Sequence, residues 1–546
     1  MALAGLVTAT HIWRMAYRVP RASLEAAINH LVRYGDTDIF PHLPELAFFA
    51  DEAAAIVDEL SKLDLDSYTP AGAIEALAPK ARYSFRIAHQ LSALDTVLLL
   101  ACVIDIGDKI EAKRQPVTLV YSYSYRFQPD SAKGGVFRGN RSYKDWLHCQ
   151  QRILDWGQNI THVVSTDISD YYSRINFHRL ENLLDEAAPR HGAVRFIKNH
   201  ISIIRAKQSF GVPVGGSAAR LLAELALVDT DEALRGMQLI VTRFVDDFRI
   251  FLRATDHPYD VLGFLAEQLG INEGLSLNPA KTLVTARDKY SEHLKAATSD
   301  LEEEAENVAL DTLTSSLYFD NEPDELDLQR LKGFNLVGML ETEIKSENWD
   351  VGRIKVLFRA LKIAKPAAAI VFIKKRFEDL VVFAKDLVLL MEALEEYSIH
   401  CFNELCEQVI RAILSPPASS IQIIRTWLLE IFVRDVIAIP TAEIRRLEVL
   451  PAVIDKKQLL LIRGRSKDVN YFRRQKTAVQ SFSDVERPCL VWGASCLPQD
   501  EYEVWLQKSV GVHMNKPLDA LFLKWAVKNR SKLMLKLKAP ITEHPE

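Results

Sequence analysis

Residues 239–252 read Leu-Ile-Val-Thr-Arg-Phe-Val-Asp-Asp-Phe-Arg-Ile-Phe-Leu. Two runs rich in β-branched and aromatic residues flank Asp246 and Asp247, the composition of two strands joined by a tight turn. An isolated Asp-Asp pair is ordinarily a solvated turn. Withdrawn from water, two adjacent carboxylates are costly unless a cation offsets them. What surrounds the pair therefore decides its reading.

A second stretch lies upstream. Residues 162–180 read His-Val-Val-Ser-Thr-Asp-Ile-Ser-Asp-Tyr-Tyr-Ser-Arg-Ile-Asn-Phe-His-Arg-Leu. An apolar run ends at Asp167, and Tyr171, Ile175 and Leu180 then follow at near-helical spacing. A carboxylate at a strand end and a pair at a hairpin tip can converge on hard cations. Mg2+ takes oxygen ligands, including one or two carboxylates, and keeps positions for substrate phosphates. Two such ions about 3.5–4 Å apart activate a hydroxyl and stabilise a leaving phosphate.

The two stretches resemble the catalytic motifs of reverse transcriptases. Residues 167–172 match an Asp-x-x-x-aromatic-aromatic motif, and Phe244-Val245-Asp246-Asp247 matches an aromatic-x-Asp-Asp motif. Between them, in family order, lies Gly211-Val212-Pro213-Val214-Gly215, followed by Leu221-Leu222-Ala223-Glu224. The resemblance spans roughly residues 80 to 300, about one and a half typical domains. It implies an α+β fold of the right-hand polymerase type, with fingers, a ferredoxin-like palm and a large all-α C-terminal domain.

The resemblance also implies roles. Asp167, Asp246 and the backbone carbonyl of Ile168 would hold two Mg2+ ions, with Mn2+ as an alternative, and Asp247 would support them. Tyr172 would lie beneath the incoming sugar, where a ring leaves no room for a 2′-hydroxyl. Tyr171 reads as a core aromatic and Asp170 as a surface or helix-start carboxylate. Gly211, Pro213 and Gly215 make a backbone that can approach a nucleotide closely. Ala219 stands where related bacterial enzymes often carry serine. Lys281, in the turn Asn278-Pro279-Ala280-Lys281, would serve the departing pyrophosphate, although a lysine after Asn-Pro is also an ordinary turn residue. Arg126 and Arg138 flank a turn that could fold over a triphosphate, since a guanidinium fork suits phosphate oxygens; each is equally readable as a surface arginine. Arg243 and Arg249 bracket the Asp pair; in the family's setting they would hold the carboxylates or the primer end, and they are equally readable as outward-facing strand residues.

Composition bounds the rest. The 546 residues are 48% hydrophobic and 25% charged, with a net charge of −5. Residues 300–327 hold eleven acids and no Lys or Arg; without them 67 basic residues face 61 acidic ones, a net of +6. No apolar run approaches the ~18–20 residues of a membrane span. The N-terminus does not read as a signal peptide, and six scattered cysteines form no Cys-x-x-Cys pair. A cytoplasmic protein without membrane attachment is expected.

Five regions are expected: 1–80 helical, 81–160 fingers, 161–290 palm, 291–346 a thumb-like helical region, and 347–546 an α-helical array. Residues 121–127 alternate like a strand. Residues 380–397 and 421–436 are the clearest C-terminal helices, and a HEAT-like helical repeat is an alternative description of the array, though no strict period is found. Basic clusters at 374–376, 463–476 and 524–538 suit either single-stranded nucleic acid or solvated helix faces. Palm motifs followed by a large helical extension resemble the bacterial abortive-infection, or antiphage, branch of the family. That branch implies deoxynucleoside triphosphates as substrates, a single-stranded DNA product, synthesis primed by a tyrosine hydroxyl without a conventional template, and homo-oligomers. RNA is a further candidate partner. Tyr34, in the turn-rich stretch 34–41, is one weak primer candidate among sixteen tyrosines. The alternatives are an RNA-templated enzyme of retron or intron type and an inactive polymerase-like scaffold.

Overall fold

Eight strands carry the β structure of the described residues: β1 (Ile74–Ala81), β2 (Ser84–Gln90), β3 (Phe127–Asp130), β4 (Gly135–Phe137), β5 (Ile160–Asp167), β6 (Ile240–Phe244), β7 (Asp247–Arg253) and β8 (Leu283–Ala286). The computed structural model describes residues 16–130, 134–157, 159–205, 208–298, 331–347 and 349–537. The acidic stretch 300–327 and the middle of the expected thumb region lie outside them.

The largest sheet has the antiparallel order β6-β7-β5-β8. Its chain order is strand, helices, strand, strand, helix, strand. Val163 pairs with Phe251 and Val164 with Ile250 across β5 and β7. The two pairs point to opposite faces, as the period of two requires. Val163 and Phe251 enter a small core with Leu154, Ile160 and Leu294, whereas Val164 and Ile250 enter the main core. Apolar burial on both faces explains why β7 reads as a nearly unbroken hydrophobic run.

The N-terminal region is helical over Arg21–Tyr34 and Glu45–Leu60, then turns into the antiparallel hairpin β1–β2. This hairpin departs from the helical expectation for residues up to 80. Its first strand, Ile-Glu-Ala-Leu-Ala-Pro-Lys-Ala, is rich in alanine, which has low strand preference. Pairing with β2 and docking on the C-terminal helices override that preference. The alternating stretch 121–127 is not a continuous strand either. Ser122 bridges Arg243 beside β6, but Tyr125 takes a φ of +44° and strand structure begins only at Phe127.

Beyond residue 336 the described residues form helices joined by turns. Helices Val351–Ala364, Ala384–Leu394, Gln422–Val433, Val453–Arg465 and Arg487–Gly493 stack as one row, each against the next. This array shares its core with the N-terminal region. The Phe48 ring lies 5.5 Å from both Phe522 and Trp525. Trp427 Nε1 donates to the Ile39 carbonyl (2.8 Å), Trp525 Nε1 to Asp51 Oδ2 (2.8 Å), and the Leu77 N–H to Gln422 Oε1 (3.1 Å). Many basic residues of the array pair with acids: Lys374 with Glu404, Arg376 with Glu341, buried Arg463 with Asp468 and Glu448, Arg473 and Lys476 with Glu501, and Lys536 with Asp51. For these side chains the ion-paired, structural reading fits better than a nucleic-acid surface. No helix among the described residues is long and apolar enough to cross a membrane.

Candidate active site

The sheet brings the three predicted carboxylates to one end. Asp167 is the last residue of β5 and Asp247 the first of β7, and the two are register partners. The Ile168 N–H donates to the Asp246 carbonyl (3.2 Å). That bond makes 167/247 a non-hydrogen-bonded pair, in which opposed side chains share a face with Cβ atoms about 4.5–5.5 Å apart. Asp246 occupies the turn between β6 and β7. On the other flank, the Asn278 N–H donates to the Asp167 carbonyl (2.8 Å), the Ser169 N–H to the Ser276 carbonyl (2.9 Å), and Ile168 bridges Leu277. The end of β5 is thus clamped between the Asp pair and the turn that carries Lys281.

Like charges directly opposed in a sheet are destabilising. Burial, followed by Asp167 and Asp247, pushes the Asp246 carboxyl up to about 7, and Lys281 partly opposes this. Lys281 Nζ donates to Asp167 Oδ2, and Arg249 lies 3.5 Å from Asp247. Among the described residues no group of three or more His, Cys, Asp or Glu side chains is arranged as a ready metal site. Two side-chain cations offset the carboxylates here, Lys281 at Asp167 and Arg249 at Asp247. The donor set nevertheless fits Mg2+, being all oxygen and rich in carboxylate. The Lys281 side chain is 58% exposed.

Beneath the turn lies a buried charge network that the sequence reading did not anticipate. Arg243 grips both Asp231 oxygens (2.8 Å each), and its Nη1 reaches Glu224 Oε2 and the Val245 carbonyl (2.8 Å each). Arg114 Nη2 also reaches Glu224 Oε2 (2.9 Å). Ser122 donates to Glu224 Oε2 (2.8 Å), and Ser124 donates to Glu224 Oε1 while accepting the Val245 N–H (2.8 Å). The Arg and Glu side chains here are fully buried. Against desolvation, Arg243 and Arg114 hold the Glu224 carboxyl below its usual range. Val245 takes a φ of +55°, a left-handed conformation that a β-branched residue strongly disfavours. Both its backbone polar groups are held by the network, so the strain is over-determined by its surroundings. One signal was available beforehand: Glu224 sits in the run Leu221-Leu222-Ala223-Glu224-Leu225, where only a paired acid belongs.

Tyr171 is buried and donates to the Ala223 carbonyl, a core role. Tyr172 is half-buried, and its carbonyl accepts the Val212 N–H (2.9 Å). Burial first, then Tyr125 and Asp246, push the Tyr172 hydroxyl far above its usual range. The glycine motif packs on this turn through the Gly211 N–H, which donates to the Ile175 carbonyl (2.7 Å). Gly211 and Gly215 have φ of +94° and +119°. A Cβ at 215 would lie 2.5 Å from Thr37 Oγ1, and one at 211 would lie 2.9 Å from Arg205 Nη2. Pro213 is buried between them. Asp170 is exposed, precedes the short helix Tyr171–Arg174 and pairs with Lys80 (3.2 Å).

Other predicted residues lie elsewhere. Arg126 is buried, pairs with Glu111 (2.5 Å) and donates to the Ser122 and Gln115 carbonyls. Burial, then Arg114, lower its guanidinium to about 10. Its terminal nitrogens are engaged inside the protein, so it does not present itself to a triphosphate. Arg138 is half-exposed, with its N–H on the Arg126 carbonyl (2.9 Å). Arg243 is turned inward rather than outward. Tyr34 is half-buried, with its ring 4.9 Å from that of His30.

No family model matches the sequence, and no curated protein does. Solved structures that align with the chain include apo telomerase from Candida tropicalis (12% identity, 70% of this chain, 73% of that one, TM-score 0.34). They also include telomerases bound to a fragment of telomeric RNA. One is from Candida albicans (13%, 69% and 70%, TM-score 0.31) and one from Candida tropicalis (13%, 70% and 68%, TM-score 0.32). At these scores the likeness carries no family assignment, and the reading of the site rests on its own geometry.

Proposed function

We propose that the chain is a reverse-transcriptase-like polymerase that adds deoxynucleotides by two-metal nucleotidyl transfer. The observation that carries this is the convergence of Asp167, Asp246 and Asp247 on one end of a β-α-β-β-α-β sheet, with Lys281 on Asp167. That strand order is the one a ferredoxin-like palm requires. When bound, two Mg2+ ions would lower the pKa of an attacking hydroxyl and neutralise the phosphates. The hydroxyl gives its proton to solvent as its oxygen forms a bond to the α-phosphorus, the bond to the bridging β-phosphate oxygen breaks, and pyrophosphate leaves. Asp167 and Asp246 orient the reacting groups, and Asp247 adds field. Tyr172 excludes a 2′-hydroxyl, and Lys281, released from Asp167, gives a proton to the leaving pyrophosphate.

The C-terminal helices stack as a helical array; from the resemblance of palm motifs followed by such an extension we further infer an antiphage polymerase that primes from its own tyrosine and needs no template. Labelled deoxynucleotides with Mg2+ and no added nucleic acid test this. The expected result is polymer that changes mobility on protease treatment and is absent with Asp246→Asn. Strict dependence on RNA template and primer would replace the antiphage reading with a templated enzyme. No incorporation under either condition would leave an inactive scaffold.

A further inference from the structure

A cavity of about 220 Å³ opens between the β1–β2 hairpin, the turn at residues 34–42 and the C-terminal helices. None of Asp167, Asp246, Asp247, Tyr172 or Lys281 lines it. Its floor is apolar: Phe358, Phe383, Trp427 and Ile423 are all buried there. Seven Lys or Arg and only two Asp line it. Several of the seven already have partners within the protein. Lys385 donates to the Asp38 carbonyl (2.7 Å), and Arg82 caps the Glu347 carbonyl (2.9 Å) and lies 4.4 Å over the Trp349 ring. Lys355, Arg359 and Lys362 follow at helical spacing along Val351–Ala364, and Lys80 and Arg86 face in from the hairpin. Arg86 and Lys355 are exposed.

An apolar floor with a cationic rim selects a flat apolar body that carries phosphate. The floor alone would accept any apolar ligand, and the rim alone any anion. Together they match the two halves of a nucleotide: a base for the floor and phosphate oxygens for the lysines and guanidinium forks. The inner wall also adjoins the candidate active site. Thr37 and Asp38 line the cavity, Thr37 packs on Gly215, and Asp38 accepts from Arg220 (3.3 Å). Lys80 pairs with Asp170, three residues past Asp167.

We propose that this cavity is a second nucleotide-binding site, holding either a free nucleoside triphosphate or one nucleotide unit of a strand. It stands apart from the carboxylate site, so its test needs no catalysis. Full-length Asp246→Asn protein in EDTA is titrated calorimetrically with dATP and, separately, with a short oligothymidylate. The same titrations follow with Arg86→Glu and Lys355→Glu added together, and with the milder Arg86→Gln/Lys355→Gln. Unchanged melting temperature and circular dichroism establish that each variant folds.

The expected result is binding of at least one ligand without divalent metal, weakened about ten- to a hundredfold by the charge reversal. A smaller loss is expected with the glutamine pair. Tighter binding of dATP identifies a free nucleotide as the source; tighter binding of the oligomer identifies a strand. Absence of binding by both ligands, or affinity indifferent to both pairs of substitutions, would overturn the proposal. Either result leaves the polymerase reading standing, because that reading is judged by incorporation in Mg2+ with the unsubstituted chain.

Discussion

At the scale of single residues, Lys281 is the most informative side chain. Its ammonium sits on Asp167 and competes with any cation for that carboxylate. On the proposed mechanism, Lys281→Ala removes both the competitor and a proton donor. Turnover is expected to fall about a hundredfold or more, within the range typical of general acids. The Mg2+ concentration for half-maximal incorporation is expected to fall as well. A metal titration of initial rates separates this from simple damage, in which the Mg2+ requirement would stay or rise. The motif match picked out Lys281 by spacing alone. That it reaches Asp167, and not merely solvent, follows from the backbone bond between Asn278 and Asp167 that anchors its turn.

At the scale of elements, the hairpin β6–β7 depends on the ion network beneath it. Removing one partner from a fully buried ion pair leaves an uncompensated charge, which costs about 3–5 kcal/mol. Arg243→Met is expected to lose stability of that order, read by urea unfolding, because Glu224 and Asp231 then lose their shared guanidinium. The double change Arg243→Met with Glu224→Gln is expected to recover part of the loss. Additive losses would show that the two side chains do not act as a pair. The network also accounts for the missing strand at residues 121–127. The side chains of Ser122 and Ser124 turn to Glu224, and the backbone follows them.

At the scale of the whole molecule, three histidines sit buried where its parts meet. His30 contacts Ser217 Oγ (2.8 Å), His89 contacts Arg205 Nη1 (2.8 Å) and the Val214 N–H (3.3 Å), and His200 is fully buried. Burial lowers all three, His30 to about 3 and the other two to about 4; Arg220 adds to the shift of His30, and Arg205 to that of His89. Each is neutral when folded but takes up a proton on unfolding below its unperturbed pKa of about 6.5. The unfolded chain then binds more protons, so stability falls as pH falls from about 6.5 towards 4, by up to about 1.4 kcal/mol per pH unit for each histidine. Asp246, raised to about 7, takes up a proton in the folded state over the same window and opposes this slope, so the test uses Asp246→Asn protein. Its urea midpoints at pH 7.5, 6 and 5 are expected to decline, and His200→Leu to flatten the decline; an undiminished slope would show that His200 contributes nothing. The shared core makes a second prediction. A chain ending at Lys345 uncovers Phe48, Phe49 and Ile39, and calorimetry is expected to find no cooperative transition. A sharp transition would mean that the N-terminal part folds by itself.

The candidate site residues were legible in order and spacing: Asp167, Asp246, Asp247 and Lys281 were named because they match reverse-transcriptase motifs, as the resemblance implies. The C-terminal helix Gln422–Val433 was legible because apolar periodicity reports local conformation directly. Long-range partners were not. The alanine-rich strand β1, the inward turn of Arg243, the burial of Arg126 and the union of the N-terminal region with the C-terminal array each depend on residues far away in sequence. Desolvation and ion pairing act through space, so only the tertiary structure decided which charges were buried, which were paired and which faced a cavity.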